Sequence, residues 1–226
     1  MEKESLRPGT LVRYYAFWGL LKKEVAPGSH ILDLGGFDGF FDSKLKKAVK
    51  NLEITVVDLD KKGLEKAKQR GLKTLHVSAL KLPFKDCSID IIFCFDVLEH
   101  VKHDSQLIKE ASRLLKNGGK LILSVPDEKG VTFPLLNRQK NKTIDFSWGH
   151  LRAGYSLPKL RRMFSKNNLR IIFKTKYFNF LTRFAYGQKF LSGSSFPGRG
   201  IFFRSVIKLE PLLKLGSREH LLIAEK

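Results

Sequence analysis

The sequence predicts an α/β chain. The expected form is a doubly wound, mostly parallel seven-stranded sheet with an antiparallel last strand and a long aromatic, basic insertion before it. Three observations carry this. Short apolar runs alternate with helical patterns from His30 to Val125, the order in which each parallel strand returns through a crossover helix. The runs are apolar at successive positions, as in Ile31-Leu32 and Ile91-Ile92-Phe93, which strands buried on both faces require. Finally, a glycine cluster (Gly35, Gly36, Gly39) turns the first run into a helix, an arrangement that points backbone N–H groups at a ligand. Asp58 follows Gly39 by 19 residues, at the end of the next run. That is about the distance at which a carboxylate reaches a ribose hydroxyl in a nucleotide-type βαβ unit.

Taken in order, residues 10–26 form an amphipathic helix, with Leu11, Tyr14, Tyr15, Trp18, Leu21 and Val25 spaced by threes and fours, ended by Pro27-Gly28. Its expected role is packing, with covering of a pocket as the alternative. The first strand is His30–Leu34 and its helix spans 40–49. Strand two is Ile54–Val57, with a helix over 61–70, and strand three is Thr74–Val77. Strand four is Asp90–Phe95, followed by a helix over 105–115 that Asn117-Gly118-Gly119 stops, and strand five is Lys120–Val125. Residues 127–155 are expected to be irregular. A helix follows, capped by Ser156 with Pro158 in its first turn, then strand six at Leu169–Phe173. Residues 177–218 are a second irregular stretch before a short antiparallel strand, Glu219–Ala224. Loops of this length inside a domain are usually functional or disordered. Asp33, Asp58, Ser78 and Asp96 all fall at the C-terminal ends of strands, where such sheets bind ligands.

The formal charge is +20, unevenly spread: residues 129–226 carry 20 basic against 4 acidic side chains, and none of the acids lies between Asp145 and Glu210. Basic and aromatic residues together suggest an anionic partner with an apolar part, against the simpler reading of a solvated basic face. Two cysteines, Cys87 and Cys94, are too few for a disulfide framework, and Cys94 lies in an apolar run as a buried thiol. The mixed charges of residues 1–13 are not those of a signal peptide, and no apolar run approaches the roughly 20 residues of a membrane-spanning helix. A cytoplasmic protein is expected, with attachment to a membrane surface left open.

The series Ile31–Gly39, Val56-Val57-Asp58-Leu59-Asp60, Ser78-Ala79-Leu80-Lys81-Leu82-Pro83-Phe84, Ser88–Ile92, Asp96-Val97-Leu98-Glu99-His100-Val101 and Leu115–Leu121 resembles the class I S-adenosylmethionine-dependent methyltransferases. The group it is most similar to is that of the ubiquinone and menaquinone methyltransferases. The resemblance covers residues 28–126 and, more loosely, 148–173. It implies a Rossmann-like fold, S-adenosyl-L-methionine as cofactor and S-adenosyl-L-homocysteine as product. It places Asp33 near the cofactor's amino group, with Gly35, Gly36, Phe37 and Gly39 along its methionine and sugar. Asp58 takes the ribose hydroxyls and Leu59 packs on the adenine. Ser78, Ala79 and Leu80 lie beside the base, where Ser78 replaces the usual acid, and Phe95 and Asp96 lie beside the reacting methyl. Phe37 stands where the family usually has glycine, so a positive φ there is costly. One domain over 1–226 is expected, with a helix at 1–27, a cofactor core at 28–126, a substrate loop at 127–155 and a lid or insertion at 177–218.

Methyl transfer from a sulfonium is an in-line displacement that the protein aligns and shields from water. That chemistry calls for no metal, and none is expected. His100 and His150 are the candidate bases. Within the resemblance His100 is structural, whereas His150, with Arg152 and Tyr155, faces the pocket as the catalytic set. An Asn/Asp-Pro-Pro-aromatic run, the mark of many amino-methyltransferases, is absent after strand four. Three functions remain open: methyl transfer to a small, lipid-like or anionic acceptor; methylation of RNA along the basic segment; and a non-catalytic module docking on membrane or protein through residues 177–218.

Overall fold

The computed structural model of the chain describes residues 8–191, 203, 205–212 and 215–226. After α1 (Pro8–Glu24), β1 (His30–Leu34), α2 (Phe40–Ala48), β2 (Glu53–Asp58), α3 (Lys61–Gln69), β3 (Lys73–His76), β4 (Ile89–Phe95), α4 (Asp104–Leu114) and β5 (Leu115–Pro126) alternate. α5 (Arg138–Ser147), α6 (Leu157–Ser165), β6 (Arg170–Tyr177), α7 (Phe180–Leu191) and β7 (Glu219–Glu225) follow. The strand order is β3-β2-β1-β4-β5-β7-β6. β1 to β5 run parallel, and β7 is antiparallel to both β5 and β6. This is a Rossmann-like, doubly wound sheet. Its strand order reverses beside β1, so a crevice opens between β1 and β4 at their C-terminal ends.

The two-residue period of each strand divides the core. Ile31, Ile54, Val56 and Phe93 face α1, α2 and α3 and pack with Phe17, Leu21, Phe41, Leu45 and Leu64. Leu32, Ile92 and Leu121 face α4 and α6 and pack with Leu107, Ile108, Ala111, Leu160 and Phe164. The first helix therefore packs as expected, and it also reaches the crevice through its first turns.

Several boundaries and elements differ from expectation. Residues 127–155 contain α5, which is not signalled by apolar spacing because it buries polar groups, Asn141 and Asp145. The Asn141 amide donates to the Phe133, Leu136 and Asn137 carbonyls while its oxygen accepts from Phe133 N. Residues 177–218 contain α7, started by Asn179, whose side chain accepts from Thr182 N at 3.0 Å. Glu210, which ends the acid-free stretch, is fully buried and accepts from Phe178 N at 2.6 Å and Asn179 Nδ2 at 2.8 Å. Phe178, Phe203, Val206 and Ile207 join the sheet core on the α1 face. The remainder of the expected lid, at 192–202, 204 and 213–214, lies outside the described residues. The Asn117-Gly118-Gly119 turn does not stop α4. That helix ends at Leu114, and the glycines belong to β5 itself, where the β4–β5 register is irregular. Ser156 precedes α6 but makes no side-chain capping bond.

Candidate active site

The crevice at the switch point is a cavity of about 610 Å³. Gly35, Phe37 and Asp58 line one end, Phe95 and Asp96 the floor, and Trp148, His150, Tyr177, Phe178 and Tyr186 the far wall. Its volume lies within the roughly 300–1,000 Å³ of small-molecule sites. Thr10, Val12 and Arg13 of α1 close one side, and Arg218 and Glu219 another.

The glycine turn has the geometry its sequence demands. Gly35 and Gly39 have φ of 74° and 61°. A Cβ on Gly36 would lie 2.4 Å from Asp33 Oδ2. Phe37 adopts φ 49°, the left-handed region that costs an ordinary residue about 1–2 kcal/mol. Two contacts hold it there. Its N–H donates to Asp58 Oδ2 at 2.8 Å, and its ring lies where a Cβ on Gly63 of α3 would be, 2.5 Å from ring carbon Cδ2. Gly63→Ala is therefore expected to cost about 1–3 kcal/mol by overpacking, more than the roughly 1 kcal/mol gained in helix propensity. In a Phe37→Gly background the cost falls, since of these approaches only that to the backbone carbon of residue 37, at 3.1 Å, remains. Denaturant melts of the four chains read this reduction, and a cost unchanged by Phe37→Gly would refute the contact.

Asp58 ends β2 with Oδ1 accepting from Asp60 N and Oδ2 from Phe37 N, both at 2.8 Å. Spare acceptor positions on both oxygens remain available to a ligand. Asp33 is buried beside a satellite cavity of about 80 Å³ that Arg13 and Gly36 also line. Burial, then the charge of Asp42, pushes the Asp33 carboxyl well above its usual range; burial pushes Asp42 up to about 6. Asp96, at φ 53°, is the floor's charged centre. It accepts from Arg13 Nη1 at 2.6 Å, Ser124 Oγ at 2.6 Å and Tyr177 OH at 3.1 Å. Burial works against its ionisation, but Arg13, Ser124 and Tyr177 outweigh it and keep the carboxyl below its ordinary value.

The expected adenine-side residues stand apart from the cavity. Leu59 is 69% exposed, Ser78 is exposed with its Oγ accepting from Leu80 N at 3.3 Å, and Ala79 and Leu80 pack on the α4 face. They form an open shelf beyond β2 and β3. Of the expected catalytic set, only His150 lines the cavity. Burial lowers its pKa to about 4, so its ring is neutral at neutral pH. Arg152 and Tyr155 are corrected. Tyr155 is fully buried, its hydroxyl 3.0 Å from both Leu98 O and Asp104 Oδ2, to either of which it can donate its one proton. Arg152 Nη1 donates to Leu98 O at 2.9 Å and Val101 O at 2.8 Å, which fastens the turn after β4. Arg13, Trp148, Tyr177, Arg218 and Glu219 also line the cavity, none of them named beforehand as a site residue. Trp148, Tyr177 and Arg218 lie in the segments 127–155 and 177–218 expected to form the substrate loop and lid, Arg13 on the helix whose alternative role was to cover a pocket, and Glu219 at the start of the expected last strand.

A mostly parallel sheet with a glycine-edged cavity at its switch point defines an α/β fold of the Rossmann-like class, in which ligands characteristically bind at that position. Residues 32–123 match the family described as "Methyltransferase domain". The chain is 32% identical over 126 residues to the ubiquinone/menaquinone biosynthesis C-methyltransferase UbiE of Laribacter hongkongensis, which covers 53% of this chain and 52% of that protein. It spans about half, or less, of the length of the curated relatives it matches. Among solved structures, a putative sarcosine dimethylglycine methyltransferase from Galdieria sulphuraria superposes with TM-score 0.68 at 16% identity, covering 96% of this chain and 85% of that one. Geranyl diphosphate C-methyltransferase from Streptomyces coelicolor A3(2) does so with TM-score 0.67 at 14% identity, covering 100% and 85%.

Proposed function

We propose that the chain transfers a methyl group from S-adenosylmethionine to a small acceptor that is lipid-like and anionic. One observation carries this reading. A single cavity joins the glycine turn and Asp58 at one end to an aromatic wall with two arginines at the other. The first end suits an adenosyl group: Asp58 has acceptor capacity left for two ribose hydroxyls, and Gly35 to Gly39 bring backbone close to a ligand. An ammonium of the cofactor seated in the satellite cavity would offset the burial that disfavours the ionised Asp33 carboxyl. The other end suits an acceptor with an apolar body, and Trp148, Tyr177, Phe178 and Tyr186 supply that surface. Arg13 and Arg218 lie beside it, each already paired, with Asp96 and with Asp145 and Glu219, so a negative group on the acceptor would share these cations rather than meet free ones. Catalysis is then mainly alignment and exclusion of water. His150, neutral near pH 7, offers an unprotonated ring nitrogen to the acceptor, although a pKa near 4 makes it a weak base.

The named relatives point the same way. One acts in ubiquinone and menaquinone biosynthesis, and the Streptomyces structure holds geranyl diphosphate and S-adenosyl-L-homocysteine. A membrane contact would deliver such an acceptor. Phe180, Leu181, Leu209, Leu212 and Leu215 are exposed around the start of α7, where Phe180 N donates to Leu215 O, and Lys208 is exposed among them. The test is incubation with methyl-tritiated S-adenosylmethionine and a total cell extract. Label extracted with anionic lipids is the expected result. Label confined to RNA would overturn the acceptor class, and no transfer to any fraction would overturn the activity.

A further inference from the structure

The turn after β4 and the segment after α5 bring Glu99, His100 and His150 together on the cavity wall. One donor atom from each lies within 4.8 Å of the others. Glu99 is completely buried, and neither carboxylate oxygen has a hydrogen-bond partner. His150 is 8% exposed, and its Nδ1 has none either. Three unsatisfied buried acceptor atoms in one place are expensive, because each forfeits its hydration without replacement. What they lack is a positive centre. Arg218 acts on Glu99 only at long range, being committed to Asp145 at 2.9 Å and to Glu219.

The surroundings suit a metal ion in that role. His100 Nδ1 lies 3.0 Å from Gly149 O. That contact makes Nδ1–H the donor and leaves the lone pair on Nε2, as in metal-bound histidines whose other ring nitrogen donates to a carbonyl. The rings of His100 and His150 stand edge to face, 4.7 Å apart. Leu151 N donates to Glu99 O at 2.9 Å, joining the two segments, and Arg152 Nη1 holds Leu98 O and Val101 O on either side of Glu99 and His100. Metal bonds of about 2.0–2.2 Å require donors roughly 3.0–3.6 Å apart, so the triad must tighten slightly. Small shifts of the exposed His100 side chain that keep its Nδ1–Gly149 O contact can contribute to this.

We infer that Glu99, His100 and His150 form a binding site for a divalent first-row transition metal facing the acceptor end of the cavity. Two imidazoles and one carboxylate suit Zn²⁺, Fe²⁺, Mn²⁺ or Co²⁺ better than Ca²⁺ or Mg²⁺, which favour oxygen alone. Three protein donors leave coordination positions open to an oxygen or sulfur atom of the acceptor. On this assignment His150 serves as a ligand rather than as a base. Arg152 becomes a positioning residue, holding the turn that carries two of the three donors. Use of the ion in methyl transfer rests on the function proposed above, whereas its binding does not.

The test uses the untagged full-length chain, stripped with chelator and titrated with Co²⁺, read by visible ligand-field absorption. One equivalent per chain is expected. His100→Ala, His150→Gln and Glu99→Gln should each weaken binding roughly 100-fold or more, and Arg152→Met roughly 10-fold. His100 is exposed, so its variant folds even if the buried replacements do not. A chain that takes up no Co²⁺, or uptake unchanged in His100→Ala, would overturn the site. Titrating S-adenosylhomocysteine into the same metal-free protein separates the two ideas. Cofactor binding without metal uptake removes the metal site alone, and failure of both removes the proposed function as well.

Discussion

Replacing Arg218 with methionine is expected to lower the unfolding free energy by about 3–5 kcal/mol. The guanidinium is 3% exposed, with Nη2 donating to Asp145 Oδ2 at 2.9 Å and Nη1 to Glu219 Oε1 at 2.5 Å. Both acids are buried, and burial already pushes Glu219 up to about 7 with the arginine in place. Without Arg218 the folded chain must keep two carboxyls uncompensated or hold them protonated. The sign of the pH dependence follows. A carboxyl whose folded pKa exceeds its unfolded value binds more protons in the folded state between the two. Stability therefore falls as pH rises through that window. In the wild type the Glu219 window runs from 4.5 to about 7. In Arg218→Met it extends upward, and so does that of Asp145, whose carboxyl burial already raises in the wild type. The deficit is thus larger at pH 8 than at pH 6. Chemical denaturation at both values measures it, and a loss below about 1 kcal/mol at pH 8 would show that the network is not what joins α5 to β7.

Asp58→Ala is expected to weaken S-adenosylhomocysteine binding at least roughly 100-fold. Hydrogen bonds to a charged group contribute about 1.5–3 kcal/mol each, and loss of two exceeds the 1.4 kcal/mol per tenfold that such a change needs. The side chain has two tasks. It accepts from the Phe37 and Asp60 N–H groups, which fixes the left-handed turn. It also lines the cavity, with acceptor capacity left on both oxygens. Asp58→Asn keeps one oxygen and should lose less. Competition against a fluorescent adenosyl analogue measures both variants. An Asp58→Ala chain binding as tightly as wild type would remove Asp58 from the site.

The parallel core was legible because its strands are apolar on both faces and each is followed by a helix with its own period. β1 falls at the expected residues, and β2, β3 and β4 begin one residue earlier than expected. α5 was not legible, since the faces it buries carry Asn141 and Asp145 rather than leucines. The glycine turn and Asp58 were visible because they are local to one βαβ unit. The Glu99–His100–His150 group was not: it depends on the Leu151–Glu99 backbone contact, which joins segments some fifty residues apart. Arg152 and Tyr155 misled for a related reason. An arginine and a tyrosine after a candidate histidine suggest a catalytic set, but burial commits both to the carbonyls of the neighbouring turn.

The central claim is that the strand-end cavity takes an S-adenosyl ligand. Calorimetric titration of S-adenosylhomocysteine into the wild-type chain tests it directly. One site per chain with affinity in the micromolar range or tighter is expected. Absence of saturable binding at millimolar ligand would contradict it.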